Sequence, residues 1–443
     1  MKRVIFALLV ITIITSAQAK YSGGTGTESN PYQIGSISDW NDLMYTSSDW
    51  DANFVMVADI NLQGIPLIPV GNDLNGTTIA FTGVFDGNGH VIRNASMNKP
   101  GYWHIALFGI INSDAQIRNL GAEDVNMMGY RDVAGLVGIT GWRTTTVTTL
   151  ISNCYVTGTV RVSDGITFGG LVGQNAGTIT GSHAACDVNG TTYIGGLVGR
   201  NMSGIIMDSY AAGTVSGTSS VGGLVGYSEI RDSESGGYDY AFPVITKHCY
   251  SSGSVSGNQY VGGLIGTNGA SSLAVLGIFI NDCFSACEVT GGNGFVGCNY
   301  GQVKNCYAVG KVIGSGVGFG SSGVTNCFWD INTTGKSTGG GGTGKTTAQM
   351  QTLSTFAEAN WDFNNVWHIC EAINYPRLRW SIPAADFVCP DGVNFVDYSF
   401  FAKRWMNTNC AASNNCDGTD FDSSGTVDLA DLKVFCNYWL QGL

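Results

Sequence analysis

Six residues near the C-terminus carry the sharpest chemical signal in this chain. Asp420, Asp422, Ser424, Thr426, Asp428 and Asp431 fall at positions 1, 3, 5, 7, 9 and 12 of one loop, with Gly425 at position 6. Five of them offer a side-chain oxygen, and Thr426 offers its carbonyl. Calcium takes about six to eight hard oxygen ligands, and a glycine at the sixth position allows the sharp turn that gathers them. The bland alternative is a solvated acidic turn. A weaker copy precedes this loop. Asp391, Asn394 and Asp397 repeat the second half of the pattern. Read from Gly392, however, that loop is one residue short, and Phe387 and Cys389 stand in its first two ligand slots.

Each loop runs into a segment of helical spacing. Asp397–Met406 and Asp431–Leu440 align without gaps, and Phe401/Trp405 and Phe435/Trp439 lie four residues apart, on one helical face. Cys410 and Cys416 lie between the two units, placed for a local disulfide. Position 12 holds Asp, where an ordinary EF-hand has Glu. With the duplicated loop–helix unit, this resembles a dockerin. The resemblance covers about 58 residues, from 386 onward. It implies calcium as the cofactor and noncovalent docking on a cohesin-like or other surface protein. The first unit departs from the family pattern, so the recognition residues of dockerins are not carried over.

Other chemical signals are weaker. Gly339–Thr346 reads GGGGTGKT, which fits the phosphate-loop pattern. Such a loop needs a buried strand before it, and what precedes it is polar, so a flexible linker is the expectation. Hydrolases and lyases of polysaccharides need paired carboxylates, or an acid with a basic partner, on one face. The plain repeats are nearly free of Asp, Glu, Lys and Arg. Asp86 reads as a turn former. His90, His104, His183, His248 and His368 are expected to lie apart, with no Ser or Asp arrangement beside them. No catalytic residue is assigned.

These residues must be held by some scaffold, and most of the chain writes one short phrase. It reads AGLVG at Ala134–Gly138, GGLVG at Gly169–Gly173, Gly195–Gly199 and Gly222–Gly226, GGLIG at Gly262–Gly266 and NGFVG at Asn293–Gly297. The key positions Leu136, Leu171, Leu197, Leu224, Leu264 and Phe295 are spaced 35, 26, 27, 40 and 31 residues apart. A unit of about 26 residues cannot bury its own apolar side chains, so copies must stack into a solenoid. The expected fold is all-β: a parallel β-helix, right-handed, with a small α-helical C-terminal module. Each rung is read as three short strands, with inserts at Ser228–Phe242 and Ala270–Gly277.

Equivalent residues then form columns. One is the leucine series. Another is aromatic: Tyr155, Tyr210, Tyr250, Phe284, Tyr307 and Phe328, with His183 as the exception. Cys154, Cys249, Cys283, Cys306 and Cys327 each precede an aromatic residue, and Ser182 and Ser209 take the same slot elsewhere. A slot shared by Cys and Ser wants a small side chain, so a ladder of buried thiols is expected in preference to disulfides. A metal site there lacks zinc-like spacing.

The repeat resembles the GLUG motif family over roughly residues 130–325. The segments Phe81–Met97 and Thr346–Trp380 resemble the flanks of such arrays. The resemblance implies extracellular or surface proteins, often adhesive, and implies no catalytic residue. Open solenoid ends need caps. A short helix near Ser38–Tyr45 is expected at one end. At the other, a helix at Thr347–Ala359 and Trp361, Trp367 and Trp380 are expected to cover the open coil, with a carbohydrate-stacking surface as the sharper alternative.

The organisation expected is an export signal at 1–19, cap and first coils at 20–129, the rod at 130–335, linker and cap at 336–383, and the calcium module at 384–443. Lys2 and Arg3, the apolar run Val4–Ile14 and the small-x-small site at Ala17–Ala19 carry the export reading, and the run is too short to span a bilayer. The protein is therefore expected to be secreted or held at the cell surface, and not transmembrane after cleavage. A net charge of −12 argues against nucleic acid as a partner. Binding, adhesion or scaffolding is the expected job. The alternative is a polysaccharide-degrading enzyme delivered by its dockerin, and three or more charged side chains converging in one groove would favour it.

Overall fold

The structure is a computed structural model and describes residues 20–73, 76–141, 148–161, 164–230, 243–269, 277–320, 322–389 and 391–439. The export signal, Leu440 and most of both inserts lie outside the described residues.

A plain coil holds four strands, not the three expected. In one coil these are Thr192–Gly195, Val198–Met202, Ile205–Met207 and Tyr210–Ala212, the last continued by Thr214–Ser216. The Gly196-Leu197 pair is itself a corner, so the signature spans two strands. A Cβ on Gly195 would stand 2.0 Å from the Val198 carbonyl oxygen, and one on Gly196 2.1 Å from that of Gly223 on the next coil. Close backbone approach, rather than positive φ, requires these glycines. The left-handed positions fall instead on Asp132, Thr167, Tyr193, Ser220 and Tyr260, just before the corner.

Copies stack in register as parallel strands, giving, among the described residues, sheets of 11, 5, 7 and 14 strands. Leu171 N donates to Leu197 O at 3.0 Å, Leu197 N to Leu224 O at 2.9 Å and Leu224 N to Leu264 O at 2.8 Å. The leucine column is wholly buried and belongs to one core that runs the length of the rod. Each such side chain contributes roughly 1.5–3 kcal/mol by burial. The irregular last repeats do not break the column: Phe319 stacks on Phe295 at 4.6 Å.

The other columns form too. Ring centroids from Tyr155 through His183, Tyr210, Tyr250 and Phe284 to Tyr307 are 5.3, 4.5, 4.7, 4.8 and 5.0 Å apart, and adjacent planes lie within 8° of parallel. His183 is no exception, since its ring is flat and stacks like its neighbours. The five column cysteines, with Cys186 and Cys287, are free and buried. Cys249, Cys283 and Cys306 each donate to the carbonyl two residues earlier at 3.1 Å, as Ser209 does at 2.7 Å. That shared bond explains why Cys and Ser exchange in this slot. Burial pushes Cys154 and Cys186 up to about 12 and Cys287 up to about 11, so they remain protonated.

A buried polar column runs beside them. Asn175 Nδ2 donates to Asn201 Oδ1 at 2.9 Å, and Asn268 Nδ2 to Asn299 Oδ1 at 2.7 Å. Ser228 takes the slot between Asn201 and Asn268. Its Oγ and the Oδ1 of Asn268 are buried without a hydrogen-bond partner.

At the N-terminal end the helix Ile37–Tyr45, capped by Ser36, sets the buried Trp40 edge-on against Phe85 and Phe108 at 5.9 and 6.0 Å. The C-terminal expectation needs correction. The expected helix is two short ones, Thr347–Met350 and Leu353–Ala357, and the tryptophans do not close the open coil. The segment runs back along the flank as a strap over the ring column. Trp361 lies 6.0 Å from Phe328, Trp367 5.9 Å from Tyr307, and Trp380 6.0 Å from Tyr250. Their indole N–H groups donate to Asn326 O, Asp282 Oδ1 and His248 O at 3.0, 3.2 and 2.8 Å. Trp361 and Trp367 are buried, which removes them as a sugar-stacking surface. The glycine-rich stretch is no flexible linker either: Thr343–Lys345 pairs in parallel with Phe328–Asp330 as a last strand of the rod.

The small C-terminal region is helical, with helices Phe395–Ala402 and Leu429–Asn437. They begin two residues earlier than the spacing suggested, because Asn394 and Asp428 cap them. Phe401 and Phe435 stack at 5.2 Å inside a core of seven buried residues. Cys410–Cys416 closes one disulfide, and Cys370–Cys389 ties the region to the strap.

Candidate functional site

The carboxylates of Asp420, Asp422 and Asp431 come within 4.8 Å of one another. Asp420 and Asp431 are buried. Asp431 closes the loop: Oδ1 accepts from Phe421 N at 2.6 Å and Oδ2 from Asp428 N at 2.8 Å. Asp420 Oδ2 accepts from Gly425 N at 2.9 Å. Of the other expected ligands, Ser424 touches the cluster through its backbone, its N–H donating to Asp420 Oδ1 and Asp422 Oδ1, each at 3.0 Å. Asp428 Oδ1 accepts from Ala430 N as a helix cap, and Ser424 Oγ donates to the Thr426 carbonyl.

The first loop is built alike, and this corrects its reading. Asp397 Oδ1 accepts from Phe387 N at 2.7 Å, and its Oδ2 from Asn394 N at 3.0 Å. Gly392 N donates to Asp386 Oδ2 at 3.0 Å. Asp386 therefore occupies the place of Asp420, the loop is full length, and its glycine is displaced by one residue. Phe387 and Cys389 are not in ligand slots, and Cys389 is a disulfide half. The cluster is Asp386, Asp391 and Asp397. Asn394 caps the helix through Val396 N and donates to Asp391 Oδ1 at 3.1 Å. Asp386 was missed because Gly392, rather than Asp397, anchored the alignment. The Asp-Phe pair shared by Asp386-Phe387 and Asp420-Phe421 was the available signal.

An all-oxygen donor set of three crowded carboxylates fits calcium in both loops. Burial, followed by the charges of Asp397 and Asp391, pushes the Asp386 carboxyl up to about 6. Its Oδ1 is buried with no hydrogen-bond partner. A cation would relieve both conditions.

The histidines depart from expectation. His90 Nδ1 lies 3.0 Å from Asp59, His104 Nδ1 3.3 Å from Asp132, and His248 Nδ1 3.1 Å from Asp208. Around His90 a charged cluster assembles from successive coils. Arg93 pairs with Asp59 and with Glu123, each at 2.8 Å, and Tyr155 OH donates to Glu123 at 2.7 Å. Hydrogen bonds from Arg93, Val91 N–H and His90 hold Asp59 down at about 2. Asp86 does form a turn, accepting from Asn88 N at 2.8 Å, and it also pairs with Arg118 at 2.9 Å. Among the described residues no helix is long and apolar enough to cross a membrane.

This architecture of stacked, glycine-cornered coils is that of a repeat protein, and comparison with known proteins agrees. Residues 190–216 match the GLUG motif, so the chain is a Gly-rich, GLUG-motif-containing protein. It is 34% identical over 416 residues to a protein of Evansella cellulosilytica provisionally named a Gly-rich membrane protein, covering 81% of this chain and 45% of that one. It is 30% identical over 218 residues to Halomucin of Haloquadratum walsbyi, covering 41% of this chain and 2% of that one. The chain thus spans less than half the length of the curated relatives it matches. A Bacteroides ovatus crystal structure, provisionally described as an immunoglobulin A1 protease, aligns over 82% of this chain and 96% of that one at TM-score 0.43 and 20% identity. Nothing of that protein's activity transfers at this level of likeness.

Proposed function

We propose that this chain is an exported, non-catalytic rod for binding or display, with right-handed coils and a calcium-stabilised docking module at residues 384–443. The observation that carries the reading is the pair of matching acidic loops, Asp386–Asp397 and Asp420–Asp431, each opening onto a capped helix. Asp420, Asp422 and Asp431 would hold one calcium, with Asp428, Ser424 and Thr426 around it. Asp386, Asp391 and Asp397, beside Asn394, would hold a second. The apolar side chains at the helix starts support docking on a cohesin-like or other surface protein, since Phe395 is 78% and Leu429 72% exposed. The names of the relatives, a membrane protein and Halomucin, support a place outside the cytoplasm.

The rival reading is a polysaccharide-degrading enzyme. Four ionisable groups, Asp59, His90, Arg93 and Glu123, do converge on one face. Their chemistry argues the other way. Arg93 engages both carboxylates, and a general acid needs a pKa near the working pH, which Asp59 lacks. Polysaccharide cleavage that disappears in Glu123→Gln would overturn the non-catalytic reading.

The docking module is tested by hydrogen exchange of the full chain with and without calcium at about 1 mM. Protection is expected to rise at the Phe421, Asp428, Phe387 and Asn394 amides and to stay constant in the rod. An unchanged module removes calcium from the proposal.

A further inference from the structure

The rod carries a ladder of rings under the strap and a second group of rings outside it. The strap lies over the ladder from Tyr210 to Phe328. The second group lies at the corner where the signature turns. Tyr193, Tyr227, Tyr260 and Tyr300 flank it on four successive coils at three register positions: Tyr193 and Tyr260 align through Ser220, Tyr227 aligns with Arg200, and Tyr300 follows Asn299; Tyr260 and Tyr300 are 44% and 45% exposed. Tyr193 and Tyr227 stack at 4.8 Å. The Arg200 guanidinium lies 5.7 Å over the Tyr193 ring and pairs with Glu229. Polar atoms at this corner lack partners: Arg200 Nε and, one coil earlier, Thr167 Oγ1 and Gln174 Oε1. Thr167 and Gln174 are 0% and 3% exposed.

We propose that this corner binds an extended, neutral polysaccharide running along the rod. The inference deepens the binding reading and rests on it. The four tyrosines are spread over four coils that lie about 4.8 Å apart, a reach that suits a polymer rather than a compact ligand. Sugar rings offer apolar C–H faces to aromatic side chains. Their hydroxyls both donate and accept, so they can serve the partly exposed guanidinium–carboxylate pair of Arg200 and Glu229. Charge selects among glycans. Arg200 is offset by Glu229, and the chain carries −12 overall, which disfavours polyanions.

The test is affinity electrophoresis of the full chain, with calcium, in gels containing soluble xylan, β-glucan or mannan. Retardation by at least one is expected. The double variant Tyr260→Ala/Tyr300→Ala, which removes exposed rings, is expected to weaken binding about tenfold or more with an unchanged circular dichroism spectrum. Arg200→Lys, which keeps the charge and loses the planar fork, is expected to weaken it independently. Full-strength binding in both variants overturns the corner as the site while leaving an adhesive rod intact. No retardation in any gel overturns the proposal. Variants that change only self-association or capture of a protein make the corner a protein interface, and the proposal falls. The calcium response of the module reads the docking proposal separately.

Discussion

The rod and the C-terminal module reach order by opposite means. The rod repeats a weak unit until neighbours shelter each other, with its leucines, rings, thiols and asparagines aligned from coil to coil. It needs few charges and among the described residues holds no disulfide within its coils. Among the described residues the module's core cluster has seven buried members, two of them the halves of the Cys410–Cys416 disulfide, too few to order a region of its size unaided. It relies instead on two disulfides and on carboxylates that close loops and cap helices. Where one part spreads its stability over many equivalent contacts, the other concentrates it in a few irreplaceable ones.

That contrast can be broken by experiment. The largest effect is expected from Leu197→Ala in the middle of the leucine column. It should cost about 2–5 kcal/mol in the rod by leaving a cavity, measured by denaturant unfolding followed at the coils. The module's calcium response should be untouched. Equal loss in both regions would mean that they are one cooperative unit.

A smaller effect concerns pH. The Asp386 carboxyl is raised from 3.8 to about 6. Without calcium, the fold favours its protonated form. This contribution is full below about pH 4 and lost as pH rises through about 6. Calcium takes the proton's place, so it should raise the module's melting temperature more at pH 7 than at pH 5, with no such trend in the rod. In Asp386→Asn the difference between the two pH values should shrink. A calcium effect independent of pH would argue against Asp386 as a ligand.

The smallest effect is a gain. Ser228→Asn should let the new amide donate to Asn268 Oδ1 and so join the two halves of the asparagine column. One added buried hydrogen bond is worth roughly 0.5–1.5 kcal/mol. A loss of stability would show that the slot has no room for the longer side chain.

Much of the rod was legible because periodic spacing converts directly into stacking. Leu197 and Leu224 are 27 residues apart, and the structure places one above the other. The thiol slot was legible from the exchange of Cys249 with Ser209 at one position of the repeat. The strap was not. Trp361, Trp367 and Trp380 carry no period, and only the flat flank of the ring column gives them somewhere to lie. The charged cluster lay before the first signature, yet Arg93, Glu123 and Tyr155 are 30 and 32 residues apart, a coil's spacing that could have revealed it. Asp386 was hidden by trusting a glycine over the aspartate that closes the loop. A turn can move its glycine by one residue, but the carboxylate that binds the loop's first amides cannot move.

The bond between Cys370 and Cys389 also sets a path for mechanical load. Tension on the module does not have to pass through residues 371–388, because the sulfur bridge joins the two ends of that stretch. It reaches the strap at Cys370, two residues past His368, where Trp367–His368 pairs antiparallel with Arg377–Leu378. Pull therefore arrives in the middle of the strap, and Trp380 is spared from being peeled off the rings first.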